Sequence, residues 1–139
     1  MFLLDTDVVS ELRQARTGRA DPSVMAWAEI QPQNLLFISA MTIFEIERGV
    51  RLLERRDQRQ GARLRGWVTG FLRPGFAGRI LPVDDRIATL AATFNVPNPA
   101  PIADSLIAAT AVIHGLTVAT RNAADFRFPG VAVLNPWLG

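Results

Sequence analysis

Asp5, Glu45, Asp104 and Asp125 each open or follow an apolar segment. Asp5 is the sharpest case, because Phe2-Leu3-Leu4 reads as a buried strand that stops abruptly in Asp5-Thr6-Asp7. In parallel α/β sheets, ligands bind in the crevice beyond the carboxyl ends of the strands, so Asp5 is a site candidate. The chain has one histidine, His114, and no cysteine, so disulfides and thiolate zinc sites are excluded and any metal site must be built from oxygen. That donor set points to a hard cation, Mg²⁺ or Mn²⁺. Clustered carboxylates repel one another, and without a cation some would protonate. A bound divalent ion removes that difficulty, can activate water and can neutralise charge on a phosphoryl group. The chemistry to look for is therefore phosphodiester hydrolysis, provided the four acids converge.

Each acid also has a plainer reading. Asp5 can simply cap the next helix, and Asp7 reads as a cap or a solvated neighbour. Asp104 is the more anomalous residue, because Ile102 to Ile113 is apolar on nearly every face and such a helix should be buried. A buried carboxylate costs several kcal/mol or more unless it is paired, bonded or bound to metal. The helix dipole recovers only roughly 0.3–1 kcal/mol of that in the first turn. Bonding to free first-turn amides is the plainer account. Glu45 falls in the first turn of its expected helix, one turn before Gly49, which leaves open space beside it. Helical periodicity alone does not choose between Glu45 and Glu47. Asp125, three residues after Asn122, can be a turn residue or helix cap, and Arg121 can pair with a surface acid as readily as with a phosphate.

The elements that must position these residues follow from local patterns. Residues 2–5 read as a strand, Val8–Leu12 as a short helix and Gly18–Asp21 as a turn. Asp21-Pro22 reads as a helix start, with Asp21 as N-cap and Pro22 at the first helical position. Leu35–Ile38 reads as a second buried strand ended by Ser39. Thr42 begins a long helix whose Ile43, Ile46, Val50 and Leu53 form one face. A further helical stretch spans Ala62–Leu72, and Pro74-Gly75 breaks it. Arg79–Val83 is a third strand, and Asp84 caps a helix through Phe94. Residues 102–114 form a helix stopped by Gly115. Leu116–Ala119 and Val131–Leu134 are strands, with a polar loop, Thr120–Phe126, between them. Strands alternating with helices imply a parallel α/β sheet.

At 139 residues this is one domain, spanning the whole chain, with room for a real core. A hydrophobic fraction of 49% places the chain among globular proteins. No apolar run approaches the roughly 20 residues of a membrane span. The start lacks a basic n-region, so no signal peptide is expected. All 15 basic residues are arginine, which does not titrate near neutrality and grips phosphate in bidentate fashion. The plainer reading of that bias is a GC-rich genome, which favours arginine codons, but it does not explain where the arginines sit. Eight arginines fall between Arg48 and Arg73, against Glu54 and Asp57. That segment is a phosphate-backbone surface, a solvated face or a partner-docking surface.

Four blocks, in order and spanning nearly the whole chain, resemble PIN-domain ribonucleases of the VapC and FitB type. They are Leu3–Glu11, Ile38–Glu45, Ile102–Ala111 and Leu116–Phe126, followed by Asn135-Pro136-Trp137. The resemblance implies a PIN-like three-layer fold with a central parallel sheet flanked by helices. It implies the toxin of a toxin–antitoxin pair, a cytoplasmic ribonuclease that cuts RNA with Mg²⁺ or Mn²⁺ and leaves a 5′-phosphate and a 3′-hydroxyl. By motif, Asp5, Glu45 and Asp104 match the first three acids and Asp125 a fourth. Thr6 and Ser39 match hydroxyls beside the site, with Asn122 and Arg121 as accessory residues. Asp7 stands where the family often has Asn, and Asn122 stands where some members carry Asp, so the fourth position falls to Asp125 or Asn122. The implied partners are an antitoxin, RNA and a second copy of the chain, in an assembly that binds promoter DNA.

Two other readings compete. Asp5-Thr6-Asp7-Val8-Val9 also resembles the nucleophile motif of haloacid-dehalogenase-like phosphatases, with Asp84-Asp85 as their late acidic pair, but that family needs a lysine and the chain has none. The other reading is a catalytically silent PIN-like module acting with an antitoxin on DNA. The intact acidic set argues against it.

Overall fold

Successive residues of a strand point to opposite faces, so the paired apolar residues Leu3 and Leu4 can serve two cores only if both faces of the sheet are covered. They do so in the computed structural model, which describes residues 1–138; Gly139 lies outside them. Leu3 joins Ile87, Phe94, Ile107, Val118 and Phe126 on one face, while Leu4 joins Val8, Ile38, Val50, Leu72 and Ala119 on the other. Val118 and Ala119 divide in the same way, and all of these side chains are buried.

The elements run β1 (Phe2–Leu4), α1 (Thr6–Arg13), α2 (Pro22–Ile30), β2 (Leu36–Ser39), α3 (Ala40–Arg56), α4 (Gln58–Trp67), β3 (Ile80–Leu81), α5 (Asp85–Thr93), α6 (Ile102–His114), β4 (Thr117–Ala119) and β5 (Val133–Leu134). The sheet order is β3-β2-β1-β4-β5, and every pairing is parallel. β1 is central, with Leu3 opposite Phe37 on one side and Val118 on the other. α5 and α6 cover the first face; α1, α3 and the segment following α4 cover the second. This is the three-layer parallel α/β architecture expected from the sequence.

Caps decide where the helices begin. Asp21 accepts from the Ser23 and Val24 amides with Pro22 in the first turn, and Asp84 accepts from Ile87. Gly115 ends α6 at φ 67°, a left-handed conformation that glycine adopts at no steric cost. Two starts differ from expectation. α3 begins at Ala40, not Thr42, because the Ser39 hydroxyl accepts the Met41 amide at 2.9 Å and caps the helix. Glu45 therefore lies in the second turn rather than the first. α4 begins at Gln58, not Ala62, because Asp57 caps it through the Gln60 amide. It then runs through a π-helical turn, Val68–Leu72, so the expected span to Leu72 is helical throughout. β3 is shorter than the expected 79–83: Pro82 has no N–H to extend the ladder, and the Arg79 amide turns back to the Phe76 carbonyl while its own carbonyl accepts the Ile38 amide; its side chain bonds the carbonyls of Gln33, Leu36 and Gly75. β5 shortens likewise to Val133–Leu134. α6 matches 102–114, but it is not buried on every face: Ile102 is 71% exposed, and the continuous burial runs from Ile107 to Ala111. No helix among the described residues is long and apolar enough to cross a membrane.

Candidate active site

The chain leaves β1 for strands on one side of it and returns to β4 on the other, so β1 and β4 flank the point where the strand order reverses. That point opens a crevice beyond the carboxyl ends of the two strands. Asp5 is the first residue past β1 and Thr120 the first past β4, and the Asp5 amide donates to the Ala119 carbonyl at 2.9 Å. The Thr120 hydroxyl donates to Asp5 Oδ2 at 2.8 Å, while Asp5 Oδ1 accepts the Thr6 amide at 2.8 Å. Asp5 is thus both the cap of α1 and the floor of the crevice; the two readings of the sequence are one geometry.

Asp7 does not cap α1. Its Oδ2 accepts the Arg121 amide at 2.9 Å and lies 3.3 Å from the Thr120 hydroxyl, which ties the start of α1 to the loop after β4. Its Oδ1 is buried with no hydrogen-bond partner among the described residues. Such an orphaned oxygen is unusual in a folded protein.

Glu45 reaches the same crevice from α3, where Thr6 Oγ1 donates to its Oε1 at 2.6 Å and the buried Thr42 hydroxyl lies 3.3 Å from Thr6. Glu47 points elsewhere, to Arg65 at 2.7 Å and Arg73 at 3.3 Å on the α4 side. Those guanidinium partners, Arg65 foremost, hold its carboxyl below the usual range. Tertiary structure thus makes the choice between the two glutamates that periodicity left open. Beside Glu45, Gly49 has open space around it, and a cleft of about 200 Å³ runs past Thr6, Ser10, Arg13 and Trp67.

Asp104 is half-buried in the first turn of α6. Burial raises its pKa, and the charges of Asp125, Glu45 and Asp7 raise it further. Bonding to first-turn amides does not enter: no hydrogen bond lowers it. Asp5 is 8% exposed, and its pKa rises to about 6, first through burial and then through the charge of Asp7, with Asp104 adding to it; the bonds from Thr120 and Thr6 work against the rise. Burial raises Asp7 as well. These shared influences show that Asp5, Asp7, Glu45, Asp104 and Asp125 occupy one electrostatic neighbourhood. Among the described residues, no three of them lie close enough together to hold an ion in the arrangement shown.

Of the remaining expected residues, Asp125 is exposed in a 3₁₀ turn, Ala123–Phe126, whose amide bonds Asn122. The Asn122 amide donates to Thr120 Oγ1 at 3.1 Å. Ser39 is fully buried and serves as the α3 cap. The Arg121 guanidinium lies over the Trp137 ring at 5.3 Å, rather than pairing with an acid. Sequence reasoning missed Thr120 and Thr42 as crevice residues. Thr120 carried a signal, a hydroxyl directly after an apolar strand, but its partner is 115 residues away.

Comparison with known proteins gives the family. The model of the PIN domain matches residues 2–132, and the chain belongs to the PIN-domain family. It is 37% identical to "VapC ribonuclease Y4jK" of Sinorhizobium fredii, with 99% of this chain and 98% of that protein covered. It is 38% identical to "Toxin FitB" of Neisseria gonorrhoeae, with 99% of each covered. Among solved structures it resembles FitAcB from Neisseria gonorrhoeae at a TM-score of 0.86 and 37% identity, over 99% of both chains. A structure of FitAB bound to an IR36 DNA fragment also aligns at 0.86, with 36% identity over 99% of this chain and 96% of that one.

Proposed function

We propose that the chain is an endoribonuclease, the toxin of a toxin–antitoxin pair, acting in the cytoplasm at the acidic crevice between β1 and β4. The observation that carries this reading is the crevice beyond the strand ends, where the Thr120 hydroxyl lies against both Asp5 and Asp7 and Thr6 holds Glu45, with Asp104 acting on the same acids electrostatically and Asp125 acting on Asp104. Near neutral pH such a cluster calls for a cation. The donors fit a hard divalent ion: all are carboxylate oxygens, burial raises the pKa of three of the carboxyls, Asp5, Asp7 and Asp104, and Asp7 Oδ1 is buried without a partner among the described residues. Asp5 and Asp104 would be its principal ligands, with Glu45 completing the set and Asp125 outermost. When bound, Mg²⁺ or Mn²⁺ would lower the pKa of a water and offset charge developing on the phosphoryl group.

The chain's own groups have separable tasks. Thr120 and the Thr6 amide fix both oxygens of Asp5, so the carboxylate keeps one orientation. Thr6 holds Glu45 by Oε1 and leaves Oε2 to orient the attacking water for in-line displacement. The likeness to FitAB bound to an IR36 DNA fragment supports an assembly with an antitoxin on DNA, and we propose promoter DNA as its site and pairing of two copies within it.

The test is incubation of the purified chain with mixed cellular RNA, with Mg²⁺ or Mn²⁺ and then with EDTA, for wild type and Asp104→Asn. Cleavage by wild type that EDTA abolishes and that Asp104→Asn lowers on the order of 10²–10³-fold is expected. Cleavage insensitive to EDTA, or undiminished in the variant, would overturn the reading.

A further inference from the structure

Three of the arginines of α3 that no acid neutralises among the described residues lie in a row leading away from Glu45, and the fourth, Arg56, lies off it. Helical steps of 100° place Phe44, Arg48, Arg51 and Arg55 on one stripe, with Glu45 at its edge. The stripe extends about 16 Å along the helix axis. All four side chains are exposed, and with Leu52, Gln58 and the acids Glu47 and Glu54 they line an open groove of about 890 Å³. The nearby acids do not oppose them. Glu47 is taken by Arg65 and Arg73, Glu54 by Arg65 at 3.6 Å, and Asp57 is spent as the α4 cap. Among the described residues Arg48, Arg51 and Arg55 form no ion pair. Like charges three and four residues apart destabilise a helix, so an external anion laid along the stripe would be stabilising.

Resting on the ribonuclease reading above, we infer that this stripe is the track for the substrate strand beside the scissile bond, with phosphates on Arg48, Arg51 and Arg55 and a base on the Phe44 ring. Exposed guanidinium groups with an exposed aromatic ring among them are the combination by which proteins grip single-stranded nucleic acid without reading its sequence. Arginine suits the task because its planar fork matches phosphate geometry. The track begins at the residue that faces the attacking water, so a strand laid along it delivers its next phosphate to the crevice.

The experiment uses the full chain. RNA binding is measured by fluorescence anisotropy with a labelled, mixed-sequence single strand, in an Asp104→Asn background, across a salt series. Arg48→Gln/Arg51→Gln/Arg55→Gln should weaken binding roughly tenfold or more for every sequence, and the slope of log K against log salt should become shallower by about 2, at about 0.7 per phosphate contact on a single strand. A control removing the same charge elsewhere, Arg59→Gln/Arg63→Gln/Arg86→Gln, should leave the slope nearly unchanged. In otherwise wild-type protein the stripe variant should raise KM and leave kcat near its starting value. Its thermal midpoint should hold or rise, since like-charge repulsion is relieved. An unchanged salt slope, or the same loss in the control, would overturn the track. Unaltered RNA binding with lost retention of a co-expressed antitoxin would overturn it too and reassign the stripe to protein contact. Wild type that cleaves RNA while the stripe variant keeps its KM defeats the track alone; wild type that cleaves no RNA with either metal defeats the ribonuclease reading.

Discussion

The crevice between β1 and β4 and the hairpin of α3 and α4 both gather carboxylates, and they treat them in opposite ways. In the crevice the partners are hydroxyls and amides: Thr120 and Thr6 on Asp5, Arg121 N–H on Asp7, Thr6 on Glu45. Such partners only partly offset burial and mutual repulsion, so the pKa values of Asp5, Asp7 and Asp104 rise. On the hairpin, Arg65 and Arg73 supply full charges to Glu47, and its pKa falls. Glu45 and Glu47 are two residues apart on one helix, yet one enters a cluster that lacks countercharge and the other an ion pair. Residue type does not separate a functional acid from a structural one; the partner brought by tertiary structure does.

Substitutions at the two glutamates break this contrast most sharply. Glu45→Gln should lower RNA cleavage by roughly 10²–10⁴-fold, the range for losing a positioned acid–base group, as measured by single-turnover kinetics. Stability against pH comes next. The folded-state pKa of Asp5 lies near 6 against an ordinary 3.8, so its carboxyl favours folding in the protonated form. The contribution of Asp5 to the stability of the metal-free protein is then greatest below about pH 4 and is lost as pH rises through 6, by roughly 3 kcal/mol at most. Urea unfolding at a series of pH values checks this. Asp5→Asn should flatten the fall, and saturating Mg²⁺ should shrink or reverse it. Glu47→Gln gives the smallest effect. Its cleavage rate should match wild type, and its midpoint in urea should report a loss of about 1 kcal/mol or less, as for other partly exposed ion pairs.

How much of this was legible in the sequence depends on the range of the interaction. Asp21-Pro22, Asp84 and Gly115 announce helix ends because capping is local chemistry. Ser39 was read as the end of a strand when it also begins α3, which shifted Glu45 by part of a turn. The place of Asp5 is legible as two alternatives, cap and site, and the fold shows one side chain capping α1 and lying at the floor of the crevice. The choice of Glu45 over Glu47 could not be read locally, because it depends on Arg65, 18 residues on, folding back across α3. Thr120 escaped for the same reason, its partner lying at the far end of the chain.

The claim that the crevice acids form one cation site is tested most directly by titrating Mn²⁺ into metal-free protein and following the free-ion signal by electron paramagnetic resonance. Wild type and Glu47→Gln should bind the ion alike, and Asp104→Asn should bind at least roughly tenfold more weakly. Equal binding by Asp104→Asn, or a loss confined to Glu47→Gln, would contradict it.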